Sequence, residues 1–195
     1  MQKTIECIAR AYLGESQARN RYTFYAKVAA DEGYEQIAAI FRETADQEKE
    51  HAKKLFLLLQ EYRKSGKLSV NELKIDEVGV PLEYGTTLDH LKAAAEGEKY
   101  ENQIMYPDFA KIAESEGFKD ALLTFKVIAI AEVHHEERYR KLIKQVEAKT
   151  FHKKAQKTTW ICRECGYQHD GTEPPEKCPL CGKPRSFYQL KVEEY

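Results

Sequence analysis

The sequence predicts an all-α four-helix bundle with one long crossover, followed by a small metal-stabilised β domain. Three observations carry this. Residues 1–149 hold four long stretches of helical periodicity, rich in Ala, Glu, Lys, Leu and Ile. The two halves of that region repeat each other. Beyond residue 158 the composition turns to Cys, Pro, Gly and aromatic residues.

The periodic stretches are 3–31, 34–63, 87–115 and 117–147. Gly33 and Gly117 stand where helix-ending glycines are expected. Joints this short make antiparallel hairpins. Between the hairpins, residues 64–87 (KSGKLSVNELKIDEVGVPLEYGTT) contain three glycines and one proline and lack a long helical pattern. They are long enough to cross the length of a bundle. Residues 150–158 are basic and polar and read as a linker to a domain at 159–195.

YAKVAADEGY at 25–34 matches FAKIAESEGF at 109–118, an offset of 84, while GES at 14–16 matches GEK at 97–99, an offset of 83. One extra residue therefore lies between Glu98 and Phe109. A helix commonly absorbs a single insertion as a π-bulge, and such bulges often sit at functional sites.

Charge narrows the function classes. The 31 basic and 32 acidic residues leave a net charge of −1, which argues against a nucleic-acid partner held by bulk charge. No apolar run approaches the roughly 20 residues of a membrane span. The N-terminal stretch MQKTIECIARAYLGE carries Glu6 and Glu15 and lacks a signal-peptide block. A cytoplasmic protein with no membrane contact is expected.

Placed on a 3.5-residue seam, the second helix presents Ile37, Phe41, Thr44, Glu48, His51, Leu55 and Leu58. Adding 84 gives Ala121, Phe125, Ile128, Glu132, His135, Tyr139 and Leu142 on the fourth. Both seams are largely apolar, and both carry Glu-x-x-His at the middle. The first helix adds Glu15, and the third adds Glu98 and Glu101. A lone Glu-x-x-His on a helix is usually a surface accident; two copies in one repeat register on apolar seams are not. Buried carboxylates protonate unless cations balance them, and no seam Lys or Arg does so. One Glu from each of two helices plus Glu-x-x-His from the other two is the di-iron carboxylate arrangement of a four-helix bundle. Carboxylate and imidazole suit iron or manganese. His134, one residue off the seam, points about 100° away, and Glu50, Glu136 and Glu137 read as solvated. Tyr22 and Tyr106 hold matching repeat positions about two turns from Glu15 and Glu98. They read either as core or as hydrogen-bonding partners of the metal ligands that can also quench radicals.

Cys162-x-x-Cys165 and Cys178-x-x-Cys181 are separated by twelve residues, and each pair is followed by glycine. Two such knuckles make a four-thiolate tetrahedral site for zinc or iron. Spacing alone fits a zinc ribbon equally well.

AAAEGEKYE at 93–101, the two Glu-x-x-His pairs, CRECGY and CPLCG together resemble the rubrerythrin family over nearly the whole chain. That resemblance implies a ferritin-like bundle followed by a rubredoxin-like domain, with an oxo- and carboxylate-bridged pair of non-haem irons and one Fe(Cys)4 centre. Zinc is a substitute in either site. It implies reduction of hydrogen peroxide to water in oxidative-stress defence, with electrons arriving from a rubredoxin or an NAD(P)H-dependent reductase. Glu48 and Glu132 would bridge the irons. Glu15 would be terminal on one, and Glu98 with His135 on the other. Glu101 and His51 would alternate on the first; Glu101 has no acidic counterpart in the repeat, where Ala18 stands. A helix of about 30 residues is about 45 Å long, so the thiolate centre of one chain is expected nearer a partner's irons, in a head-to-tail homodimer or larger homo-oligomer. The alternative is a ferroxidase or iron-handling protein, for which the thiolate domain has no use.

Overall fold

The structure, a computed structural model, describes residues 2–193. Helices α1 (Lys3–Asp31) and α2 (Glu35–Lys64) form the first hairpin. The second begins with α3 (Thr87–Tyr100), continues through a π-helical segment (Glu101–Met105) into α4 (Tyr106–Ser115), and returns as α5 (Lys119–Glu147). The extra residue of the repeat is thus taken up as a π-bulge, and the Tyr106 N–H bonds the Glu101 carbonyl. Pro107 assists: without an N–H it cannot donate to the carbonyl four residues back.

Both hairpin joints close identically. Tyr34 N–H donates to the Ala29 carbonyl (2.8 Å) and Gly33 N–H to that of Ala30 (3.0 Å); Phe118 and Gly117 repeat this on Ala113 (2.8 Å) and Glu114 (3.1 Å). Gly33 and Gly117 sit at φ 85° and 78°, where a side chain would be strained. At the third helix a Thr86–Asp89 capping box satisfies the first turn.

The crossover between α2 and α3 has no regular secondary structure. Leu68, Leu73 and Ile75 hold its first part to the bundle core. Its end is fixed by Tyr25, whose hydroxyl donates to the Glu83 carbonyl (3.0 Å), and by His90, whose Nε2 accepts from Gly85 N–H (2.8 Å). The His90 ring stacks on Tyr25 at 3.9 Å between centroids. This buried histidine thus does structural work that its sequence position did not suggest.

Two apolar cores fill the bundle. One gathers Ile8, Leu55, Leu58, Tyr106, Phe125 and Ile128. The other gathers Tyr22, Ala29, Ile37, Phe41, Leu91 and Tyr139. Between them lies a layer of fully buried Glu15, Glu48, Glu98, Glu132 and His135. The segment after α5 does not leave the bundle at once, because Phe151 is buried in the second core and packs edge-on against Tyr34.

The C-terminal unit is a three-stranded antiparallel sheet, β1 (Thr158–Cys162), β2 (Gln168–Gly171) and β3 (Tyr188–Leu190), in the order β2-β1-β3. Its own small core is Trp160, Cys162, Cys178 and Tyr188.

Candidate metal centres

The buried layer supplies two groups of convergent donor atoms, each lying within 4.8 Å of one another. One is Glu15, Glu48, His51 and Glu132; the other is Glu48, Glu98, Glu132 and His135. Glu48 and Glu132 belong to both. Imidazole nitrogens and carboxylate oxygens are crowded here. His51 Nδ1 is 2.8 Å from Glu48 and 3.0 Å from Glu132, and His135 Nδ1 is 2.7 Å from Glu132 and 3.1 Å from Glu48. Yet both Nδ1 atoms, both oxygens of Glu48 and Glu132, and Oε2 of Glu15 and Glu98 are buried without an aligned hydrogen bond. These donor atoms converge on shared points. Oxygen and nitrogen donors so arranged fit a pair of cations.

Electrostatics agree. Burial pushes Glu98 up to about 8, and raises Glu15 well above the carboxylate range. Glu48 is buried too, but the imidazoles of His135 and His51 outweigh that and hold it at about 2. Burial disfavours the His135 cation, but Glu132, Glu48 and Glu98 outweigh it and push it up to about 12; His51 is raised for the same reasons. Before metal binds, these shifts favour protons held within the cluster, on its raised carboxylates and on both imidazoles. Metal loading must expel them. Loading should tighten as pH rises from 6 to 8, and ferrous ion added anaerobically to metal-free protein should release protons in a pH-stat. Uptake without proton release would contradict this charge distribution.

Glu101 stands apart from both donor groups. It lines the cleft between α1 and the third helix, while burial and the carboxylates of Glu15, Glu98, Glu132 and Glu48 raise it well above its usual range. His134 is exposed, as the seam requires. Glu136 departs from expectation: Asn102 (2.9 Å) and Arg140 (2.6 Å) tie it down and leave it half-buried.

The two tyrosines cross the repeat. The Tyr22 hydroxyl donates to Glu98 and the Tyr106 hydroxyl to Glu15, so each half of the bundle orients a carboxylate of the other. Tyr22→Phe and Tyr106→Phe keep the ring volume and remove only the donor. Each should lower metal affinity or turnover about tenfold, the mild end of such second-layer effects; iron content per chain and initial rates would show it.

Gln47 was not evident from the seam. Its Oε1 lies 3.0 Å from His135 Nε2, which fixes the ring's orientation and leaves Nδ1 free for a metal. Arg138 reinforces the position by donating to Glu43 (2.7 Å) and Thr44 (2.6 Å). The repeat held a hint, since Ala131 occupies the matching position and leaves the fourth helix without this polar group.

In the C-terminal unit the four thiols are unpaired. Sγ atoms of Cys162 and Cys181 are 3.7 Å apart, and those of Cys165 and Cys178 are 3.6 Å. A disulfide would need about 2 Å. A tetrahedral ion with metal–sulfur bonds of about 2.3 Å needs an edge of about 3.8 Å, which these distances match. Burial opposes ionisation of Cys178, yet Tyr188 and the N–H groups of Cys181 and Leu180 bring it down to about 6.

Comparison with known proteins agrees with both sites. The family model described as Rubrerythrin matches residues 6–143, and that of the rubrerythrin rubredoxin-like domain matches 160–189. The putative rubrerythrin of Methanocaldococcus jannaschii is 51% identical over 195 residues, covering 100% of this chain and 96% of that protein. The rubrerythrin of Nitratidesulfovibrio vulgaris is 40% identical over 188 residues, covering 96% and 94%. Fully reduced, all-ferrous nigerythrin superposes with a TM-score of 0.63 at 33% identity, covering 96% of this chain and 86% of that one. With its di-iron carboxylate site in the bundle and a four-cysteine rubredoxin-like site beyond it, the chain belongs to the rubrerythrin family.

Proposed function

We propose that the protein is a peroxidase that reduces hydrogen peroxide to water at the bundle cluster and is re-reduced through the four-cysteine centre. The observation that carries this reading is the presence, in one chain, of a buried carboxylate–imidazole cluster built for two metals and a four-thiolate centre suited to electron transfer. When bound, the irons supply one electron each.

The protein's own residues do the rest. Glu48 and Glu132, shared by both donor groups, would hold both irons. Glu15 would hold one; Glu98 and His135 would hold the other. His51 and Glu101 would alternate on the first. Tyr22 and Tyr106 keep Glu98 and Glu15 oriented. The apolar cores on either side exclude water, so charge in the layer is balanced locally.

No described helix is long and apolar enough to cross a membrane, consistent with a cytoplasmic enzyme. A rubredoxin or an NAD(P)H-dependent reductase is the electron source, and a head-to-tail homodimer brings one chain's thiolate centre to the other's irons. Stopped-flow mixing of reduced, iron-loaded protein with peroxide or oxygen tests the reading. Faster oxidation by peroxide is expected. Fast oxidation by oxygen with slow response to peroxide would favour the ferroxidase reading.

A further inference from the structure

A cleft of ≈ 490 Å³ opens on one side of the bundle between α1 and the third helix, beneath crossover residues 77–81. Glu101 lies in its wall, about one helical turn from the cluster residue Glu98. Gly14 and Gly97 also line it. They are repeat-related, and each immediately precedes a cluster glutamate, Glu15 or Glu98.

Nothing in the fold demands glycine at either position. Neither has positive φ, and a Cβ built on either would meet nothing within 4 Å. Glycine inside a helix is nevertheless unfavourable relative to alanine. What the two glycines do leave is free space, on the two facing walls of this cleft. The remaining lining sets an apolar group, Val80, Pro81, Met105 and Phe109, beside the polar Arg10, Gln17, Arg21 and Glu77. Hydrogen peroxide, one oxygen larger than a water of about 30 Å³, would need only a small part of this space. The cleft is in the range of pockets that hold small organic ligands.

We propose that this cleft is the substrate passage to the di-iron site, that Gly14 and Gly97 hold it open, and that its substrates include alkyl hydroperoxides. The inference rests on the peroxidase reading and extends it. The hydroperoxide end lies toward Glu101 and the alkyl group against Val80, Met105 and Phe109. The reaction is ROOH + 2 e⁻ + 2 H⁺ → ROH + H₂O. The O–O bond breaks, and the two electrons are those that reduce hydrogen peroxide in the reading above.

The test uses the full-length, iron-loaded protein with hydrogen peroxide and tert-butyl hydroperoxide. The native chain should turn over both. Gly14→Leu and Gly97→Leu, which narrow the passage while leaving room for hydrogen peroxide, should lower the tert-butyl hydroperoxide rate at least about tenfold, the low end of the effect of added bulk in a pocket. Hydrogen peroxide turnover should change less than about threefold. A second readout does not depend on turnover. The chain has 2 methionines, and Met105 lines the cleft. Its oxidation to the sulfoxide by added peroxide, followed by peptide mass spectrometry, should slow in the leucine variants. If those variants fail to fold, Gly14→Ala and Gly97→Ala take their place; they should melt no lower than the native chain and shift both readouts in the same direction. Turnover of hydrogen peroxide but not tert-butyl hydroperoxide by the native chain overturns the proposal and leaves the peroxidase reading standing. So do glycine variants that leave the substrate ratio and Met105 oxidation unchanged. Turnover of neither substrate overturns both.

Discussion

His135→Ala should strip metal from the bundle and lower peroxide turnover by more than the roughly 100-fold that loss of a mere supporting group costs. His134→Ala, one residue away, should keep both within about twofold. The two histidines look equivalent in AEVHHEE. They differ in what the helix does with them. His135 is buried, its Nδ1 faces Glu132, Glu48 and Glu98, and its Nε2 meets Gln47. His134 is exposed and makes no comparable contacts. Loss of the His135 ring would also leave Glu48 with only His51 to offset its burial, so metal affinity and charge balance fail together. Iron per chain, with the peroxide rate measured on the same samples, distinguishes the variants. Equal behaviour would mean that the fourth helix is rotated from the placement described above.

Much of this was legible because a helical seam and an internal repeat are both periodic. The four helices fall within about two residues of their expected limits. The inserted residue surfaced as the π-segment at Glu101–Met105. The Glu-x-x-His pairs could be read because charge on an apolar seam is costly and therefore conspicuous. The illegible parts depend on contacts between helices. Gln47 reaches His135 across the bundle, and no periodicity on α2 alone marks it. The crossed pairing of Tyr22 with Glu98 and Tyr106 with Glu15 requires the relative placement of two hairpins. Glu136 looked solvated because its partners, Asn102 and Arg140, do not share its seam. The basic run after α5 read as a linker, but one aromatic residue in it, Phe151, is anchored in the core.

Cys178→Ala should unfold the C-terminal unit and stop multiple turnover while sparing a single turnover by pre-reduced bundle iron. The reason is the size of that unit. Residues 159–193 bury little beyond Trp160, Cys162, Cys178 and Tyr188, and a segment of about 35 residues cannot offset its ordering entropy with so small a core. Metal–thiolate bonding supplies the difference, of the order of 10–16 kcal/mol for a structural four-ligand site. With one of four thiolates missing and a buried side chain lost, little holds β1, β2 and β3 together. The bundle should survive, since neither of its apolar cores draws on a residue beyond Phe151. The C-terminal unit's near-ultraviolet signal from Trp160 should collapse while helical circular dichroism persists. Pre-reduced variant should then oxidise once with peroxide at close to the native rate and stall, where the native protein continues with its electron donor. Sustained turnover by Cys178→Ala at the native rate would show that electrons reach the bundle without the thiolate centre, and the proposed route would fall.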